Sequence, residues 1–189
     1  MWLSDGMADD TNNDGTTDNA ASVAALDTGL DQLTALVAAV QPADLDKPTP
    51  CTDWQVRDLV DHILHSTAGM TKAARGEQVD WTAPTPHEDD PAAAFAKRAS
   101  ELRSVMADAG EAANADWQLA EIATHSWDLA TALGRSTADL DPVVAERGLG
   151  FMSAQLTDDK RGAAFQPEQQ PPAGADAYQR IAAFAGRTV

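Results

Sequence analysis

The sequence predicts an all-α fold, a bundle of four main helices followed by a C-terminal helical extension. Apolar residues recur at spacings of three and four in several long segments, which is the period of a helix that buries one face. Only 5% of the 189 residues are aromatic although 43% are apolar. The core must therefore consist mainly of Ala, Leu and Val, which suits closely packed helices. No segment shows a convincing strand pattern.

The four main helices are delimited by their apolar stripes and by the residues at their ends. They are expected at about 21–40, 52–75, 91–109 and 115–133. The second begins with a predicted capping box, in which Thr52 is the N-cap and Gln55 reaches back to it. The third has Pro91 in its first turn, and the fourth stops at Gly134, since glycine commonly ends a helix.

The remaining segments flank or extend this bundle. Residues 1–20 are rich in Asp, Asn, Thr and Gly and have almost nothing to bury. We therefore expect a disordered acidic tail there, before a single domain at 21–189. A loop rich in proline and acidic residues is expected at 76–91. A fifth helix is expected at about 142–156, and a short closing helix at about 178–185.

The charge of the chain limits its partners. Its 30 acidic and 13 basic residues give a formal net charge of −17. Such a field repels phosphate backbones and anionic membranes, so we expect neither nucleic acid nor membrane as a partner. Abundant acid with little Lys favours adaptation to a salty cytoplasm. A high-GC genome also favours Asp and Arg over Lys, but it does not explain the deficit of total positive charge.

The single cysteine, Cys51, excludes an internal disulfide and a thiolate metal cluster. It precedes a helix N-terminus, which can lower a thiol pKa. No histidine lies near it in sequence, and Arg57 is a basic residue nearby that offers no clear partner, so we interpret the thiol as structural. No apolar segment approaches the length of a membrane span, and the N-terminus lacks the features of a signal peptide. We expect a cytoplasmic protein.

Glu121 and His125 form the most informative pair of side chains. They are four residues apart in a segment without Pro or Gly, so a helix places them on one face, where both can bind one divalent cation. His62 on the second helix is the best candidate for a third ligand, and His65 is the alternative. Two imidazoles and a carboxylate suit Zn²⁺ and leave a coordination position open. The same spacing also occurs in exposed contacts between side chains.

Two longer motifs contain these residues. Residues 48–62, PTPCTDWQVRDLVDH, resemble the signature TPCxxWxVRDLVxH of the mycothiol-dependent maleylpyruvate isomerase N-terminal domain family. Residues 121–134 resemble its second signature, ExxxHxWDLAxxxG. The resemblance implies a DinB-like four-helix bundle that binds a divalent metal, usually Zn²⁺, with two histidines and a glutamate. Carried onto this sequence, the ligands are His62, Glu121 and His125, whereas His65 matches no family ligand.

Four further residues match signature positions without being ligands. Trp54 and Trp127 are expected in the core. Arg57 and Asp128 are expected either to form a buried polar pair or to orient a ligand histidine.

The resemblance also implies a function. Characterised relatives use the metal to bind and activate a low-molecular-weight thiol, as in isomerases and thiol transferases. We therefore expect a divalent metal, a thiol such as mycothiol, and a small organic substrate. The competing hypothesis is a non-catalytic metal-binding or stress-related module, a homodimer like other DinB-like bundles. Two observations motivate this hypothesis. The isomerases have a further C-terminal domain that supplies catalytic groups, and this chain has no room for one. There is also no obvious acid–base residue near the ligands.

Overall fold

The computed structural model describes residues 14–51, 53–83, 87–110, 113–162 and 165–189, which contain six α-helices. The helices are α1 Asp14–Ala38, α2 Val56–Ala74, α3 Pro91–Ala109, α4 Asp116–Ala132, α5 Pro142–Gln155 and α6 Ala177–Phe184. Short 3-10 helices occur at Pro42–Asp44 and Asp158–Lys160. The described residues contain no strand, only an isolated antiparallel bridge between Pro48 and Gln55. The prediction of an all-α, DinB-like bundle is confirmed.

Helix α4 lies at the centre of the bundle, where it packs against α1, α2, α5 and α6. Helix α3 closes the other side by packing on α1 and α2. Because α4 has neighbours on nearly all sides, its residues from Gln118 to Ala130 are buried, except that Glu121 is partly exposed. A helix in this position needs small or apolar side chains around most of its circumference. Glu121 and His125 therefore project from the most enclosed helix of the protein.

The apolar stripes predicted from the sequence form the core. In α1 the buried side chains include Leu26, Leu30 and Leu33, and in α2 they include Leu59 and Ile63. No helix in the described part of the chain is long and apolar enough to cross a membrane.

Helix α1 begins earlier than predicted, at Asp14 rather than near residue 21. Segment 14–20, which was expected to belong to a disordered tail, is thus helical, whereas residues 1–13 lie outside the described part. Contacts from distant segments hold this turn in place. Arg147 on α5 donates to both Asp18 and Asp116, and the Ser22 hydroxyl accepts from the backbone N–H of Ala115.

Helix α2 begins later than predicted. Its N-cap is Gln55, whose backbone N–H donates to the Asp58 carboxylate at 2.9 Å. The predicted N-cap, Thr52, lies outside the described residues. The preceding segment forms a turn instead, in which Asp53 adopts a left-handed conformation with φ of 69°. This turn is closed by the Thr49 backbone N–H, which donates to the Trp54 carbonyl at 3.1 Å.

The close contact between α4 and α5 depends on a glycine. A Cβ atom at Gly148 would lie 2.9 Å from backbone atoms of Ala120, which cannot move without shifting α4. We expect Gly148→Ala to destabilise the protein by about 1–3 kcal/mol through overpacking. A Cβ atom at Gly150, two residues along the same helix, would meet no neighbouring atom within 4 Å, so Gly150→Ala is the matched control.

Urea unfolding of both variants measures the difference. Gly150→Ala should be neutral or slightly stabilising, because alanine favours the helix. Equal stabilities of the two variants would contradict the role assigned to Gly148.

Candidate metal centre

The structure brings together the three side chains that the sequence singled out. His62 projects from α2, while Glu121 and His125 project from successive turns of α4. The Glu121 Oε2 atom lies 3.7 Å from His62 Nε2 and 3.5 Å from His125 Nε2. All three candidate ligand atoms lie within 4.8 Å of one another. The two imidazole rings meet edge to face, with 4.7 Å between their centroids.

This donor set fits a divalent cation. In a tetrahedral zinc site, ligand atoms about 2.0–2.1 Å from the metal lie roughly 3.3 Å from one another. The distances of 3.5 and 3.7 Å from Glu121 to the two histidines are close to that value. In addition, His62 Nε2 is buried and has no hydrogen-bond partner among the described residues. Buried polar atoms are rarely left without a partner. A bound cation would provide one.

Asp128 contacts His125 at Nδ1, the ring nitrogen that is not near Glu121. Its side chain is fully buried, and its Oδ2 atom lies 3.1 Å from His125 Nδ1. We place the proton on Nδ1, because a carboxylate can only accept. Once the imidazole is neutral, its Nε2 atom carries no proton and can bind a cation beside Glu121; partner carboxylates orient metal-binding histidines in this way.

Two more residues complete a buried network around Asp128. Arg187 donates to both carboxylate oxygens, through Nε at 3.3 Å and Nη2 at 3.2 Å. The Cys51 thiol donates to Oδ2 at 3.0 Å. A second group of ligand atoms that lie close together therefore comes from Cys51, His125 and Asp128. A cation among them would meet the Arg187 guanidinium, so the group of His62, Glu121 and His125 is the better candidate.

The electrostatic environment of the three residues favours the binding of a cation. Burial favours the neutral form of Glu121, but its interaction with the nearby His125 imidazole outweighs burial and holds the pKa of Glu121 well below its usual value. Burial lowers the pKa of His62, which leaves its imidazole neutral. Burial also disfavours charge on His125, yet its hydrogen bonds with Asp128, Cys51 and Glu121 raise its pKa well above the ordinary value. The metal-free site thus carries a proton that a cation would displace.

A cavity of about 620 Å³ opens beside the three residues, and all three form part of its wall. Several of the other residues in its wall are aromatic or sulfur-containing. They include Trp54, Met70, Trp81, Trp117, Phe151 and Phe165. The volume and the apolar lining are those of a site for a small molecule.

The structure corrects one sequence-based interpretation. Arg57 does not pair with Asp128; it forms an ion pair with Asp46 on the surface. Cys51 is buried, as a structural thiol would be, and it lines the cavity and contacts both Asp128 and Arg187. Arg187 was missed altogether. It lies 59 residues beyond Asp128, outside either motif, and no local pattern marks it.

The other candidate residues have distinct environments. Trp127 is buried in the core, as predicted. Trp54 is only partly buried, and its ring lies 4.8 Å from the His62 ring at the wall of the cavity. His65 also lines the cavity but does not join the group of close ligand atoms. His87 is exposed and lies 3.2 Å from Asp61.

Comparisons with known proteins identify the family of the chain. The family model described as the mycothiol maleylpyruvate isomerase N-terminal domain matches residues 26–146, which include all three candidate ligands. Two uncharacterised proteins from two strains of Mycobacterium tuberculosis are each 32% identical over 180 residues, covering 84% of this chain and 93% of the relative. No solved structure matches the chain. The chain belongs to the mycothiol maleylpyruvate isomerase N-terminal domain family.

Proposed function

We propose that this protein binds a divalent cation, Zn²⁺, through His62, Glu121 and His125, and uses it to activate a low-molecular-weight thiol in an isomerase or S-transferase reaction. The observation that supports the proposal is the convergence of the three ligand atoms within 4.8 Å at the wall of a cavity large enough for a small molecule. A divalent cation in such a site stabilises a thiol in its deprotonated, nucleophilic form near neutral pH.

The protein's own residues would orient the reactants and exclude water. Asp128 fixes the ring of His125 through the contact to Nδ1 at 3.1 Å. Trp54 packs beside the His62 ring and restricts the approach to it. The apolar wall keeps the dielectric constant low around the nucleophile, which strengthens the electrostatic interactions inside the cavity.

A metal-binding module without catalytic activity would be favoured by a fourth protein ligand that closes the site. Among the described residues, neither His65 nor another carboxylate joins His62, Glu121 and His125. Three ligands leave a position for an exogenous group, as in catalytic zinc sites. The geometry therefore supports the thiol-using enzyme over the closed module.

Titration of the Co²⁺-substituted protein with a low-molecular-weight thiol tests the proposed function. We expect a sulfur-to-cobalt charge-transfer band that saturates with thiol concentration and is absent in His125→Ala. His87→Ala is the matched control, because this exposed histidine lies outside the site. If saturating thiol leaves the cobalt spectrum unchanged, the thiol part of the proposal is wrong.

Metal binding should release protons at neutral pH. The raised pKa of His125 means that the metal-free imidazole is protonated, and it must lose that proton to become a ligand. Calorimetric titrations with Zn²⁺ in two buffers of different protonation enthalpy should give different heats, and the affinity should fall as the pH is lowered. Identical heats in both buffers at pH 7 would contradict this protonation state.

A further inference from the structure

We propose that the cavity accepts an uncharged, largely apolar small molecule and discriminates against substrates that carry carboxylates. This inference rests on the proposed function, because it concerns the molecule that reacts at the same site. It follows from the wall of the cavity, from the charges that surround it, and from a buried polar atom of His65 that has no partner among the described residues.

The wall provides aromatic surface from several parts of the chain. Trp117 belongs to α4, and Trp81 lies in the segment between α2 and α3. Their rings meet perpendicularly, with 6.2 Å between the centroids. Trp54 and Phe151 line the cavity from other directions, and all four side chains are only partly buried. Aromatic rings that border a cavity and keep accessible surface favour contact with an apolar ligand.

Among the residues that the structure describes, the cavity has no Lys or Arg side chain available for a carboxylate. All 13 Lys and Arg residues lie in those parts of the chain, and Arg187 alone among them lines the cavity. Its guanidinium is buried and already bonded to both oxygens of Asp128, to the Ala185 carbonyl and to Cys51. The charge of Arg187 is therefore matched by Asp128.

The charge at the candidate metal centre is matched as well. Glu121 and a deprotonated thiol together balance a divalent cation, and Asp53 at the cavity wall adds a further negative charge. A carboxylate on the reacting molecule would lose its hydration without gaining a counter-charge, which is costly. An uncharged molecule avoids this cost.

His65 provides a polar contact for a ligand in this cavity. Its side chain lines the cavity, and its Nε2 atom is buried without a hydrogen-bond partner among the described residues. A neutral group such as a carbonyl or hydroxyl on the ligand would satisfy it. The geometry thus fits an apolar compound with an uncharged hydrogen-bonding group.

Two thiols that differ by one carboxylate group test the inference on the full-length, Co²⁺-loaded protein. The probes are benzyl mercaptan and 4-(mercaptomethyl)benzoate, which share the reactive sulfur and the ring. Quenching of tryptophan fluorescence and the cobalt spectrum report binding independently. We expect benzyl mercaptan to bind on the order of tenfold more tightly or better. Equal affinity, or preference for the carboxylate, would overturn the inference while supporting thiol binding. If neither probe changes the cobalt spectrum, the proposed function fails, and the inference fails with it.

A variant of the cavity wall provides a second test. A Cβ atom at Gly69 would lie 2.5 Å from Cζ3 of Trp81, so Gly69→Ala should displace this ring. We expect about threefold to tenfold weaker binding of benzyl mercaptan, the scale of one aromatic contact, with unchanged metal content. Gly150→Ala, with open space around it, is the matched control. Unchanged affinity in Gly69→Ala would contradict an apolar binding wall that includes Trp81.

Discussion

Replacing Asp128 by Ala is expected to destabilise the protein by about 3–5 kcal/mol, because the substitution leaves a buried charge without its partner. Asp128 is fully buried and Arg187 nearly so, and the two side chains are joined by hydrogen bonds to both carboxylate oxygens. Without Asp128, the guanidinium of Arg187 and the Cys51 thiol both lose their main acceptor. Urea unfolding of the metal-free protein measures this effect.

The same substitution should weaken metal binding by about 10- to 100-fold, the usual effect of removing a carboxylate that orients a histidine ligand. In this protein the lost contact is the one at 3.1 Å from Asp128 to His125 Nδ1. Asp128→Asn separates the two effects, because an amide oxygen still accepts from Nδ1–H although the negative charge is gone. Asp128→Asn should therefore retain more of the metal affinity than Asp128→Ala. Competition with a chromogenic chelator measures both affinities.

The surface pair of Asp46 and Arg57 provides the control for stability. It joins the same residue types, but both side chains are exposed, Arg57 to 42% and Asp46 to 76%. Exposed pairs contribute about 0–1 kcal/mol, so Asp46→Ala should be nearly neutral. If Asp128→Ala were no more destabilising than Asp46→Ala, the buried network would not have the role assigned to it.

Removal of the metal is expected to lower the melting temperature by about 8–16 °C. The reference is protein in the presence of free metal at roughly 1,000 times its dissociation constant. Binding to the folded state alone then contributes about 4 kcal/mol. For a protein of this size, each kcal/mol corresponds to about 2–4 °C. The physical reason is that the three candidate ligands connect α2 to α4, so the cation stabilises the packing of these two helices.

Differential scanning calorimetry with and without a chelator measures this shift. The shift should vanish in His62→Ala and persist in His65→Ala, which changes a cavity-lining histidine outside the group of candidate ligands. A melting temperature that is insensitive to the chelator in the unsubstituted protein would contradict a structural link between the two helices.

The sequence predicts helices well where the signals are local. Both α3 and α5 begin at the predicted proline, each preceded by an aspartate whose carboxylate caps the first turn: Asp90 accepts from the Ala93 N–H, and Asp141 from the Val143 N–H. The start of α1 could not be predicted in this way. Its first described contacts involve Arg147, which lies 129 residues from Asp18.

The candidate site likewise contains some residues that the sequence identifies and others that only the fold brings together. Helical spacing places Glu121 and His125 on one face, and the motif adds His62, so these residues could be found from the sequence. The network behind them depends on tertiary structure, since Cys51 and Arg187 lie 77 and 59 residues from Asp128. The family signatures suggested Arg57 as a partner of Asp128 instead, whereas the fold places Arg57 beside Asp46.

Metal content measured by mass spectrometry on the untagged protein is the decisive test of the site formed by His62, Glu121 and His125. We expect about one divalent ion per chain in the unsubstituted protein, as for a single three-ligand site. The ion should be lost in both His62→Ala and His125→Ala and retained in His65→Ala and His87→Ala. Folded protein that binds no divalent ion when supplied with Zn²⁺, or variants of His62 and His125 that keep a full complement, would contradict this site.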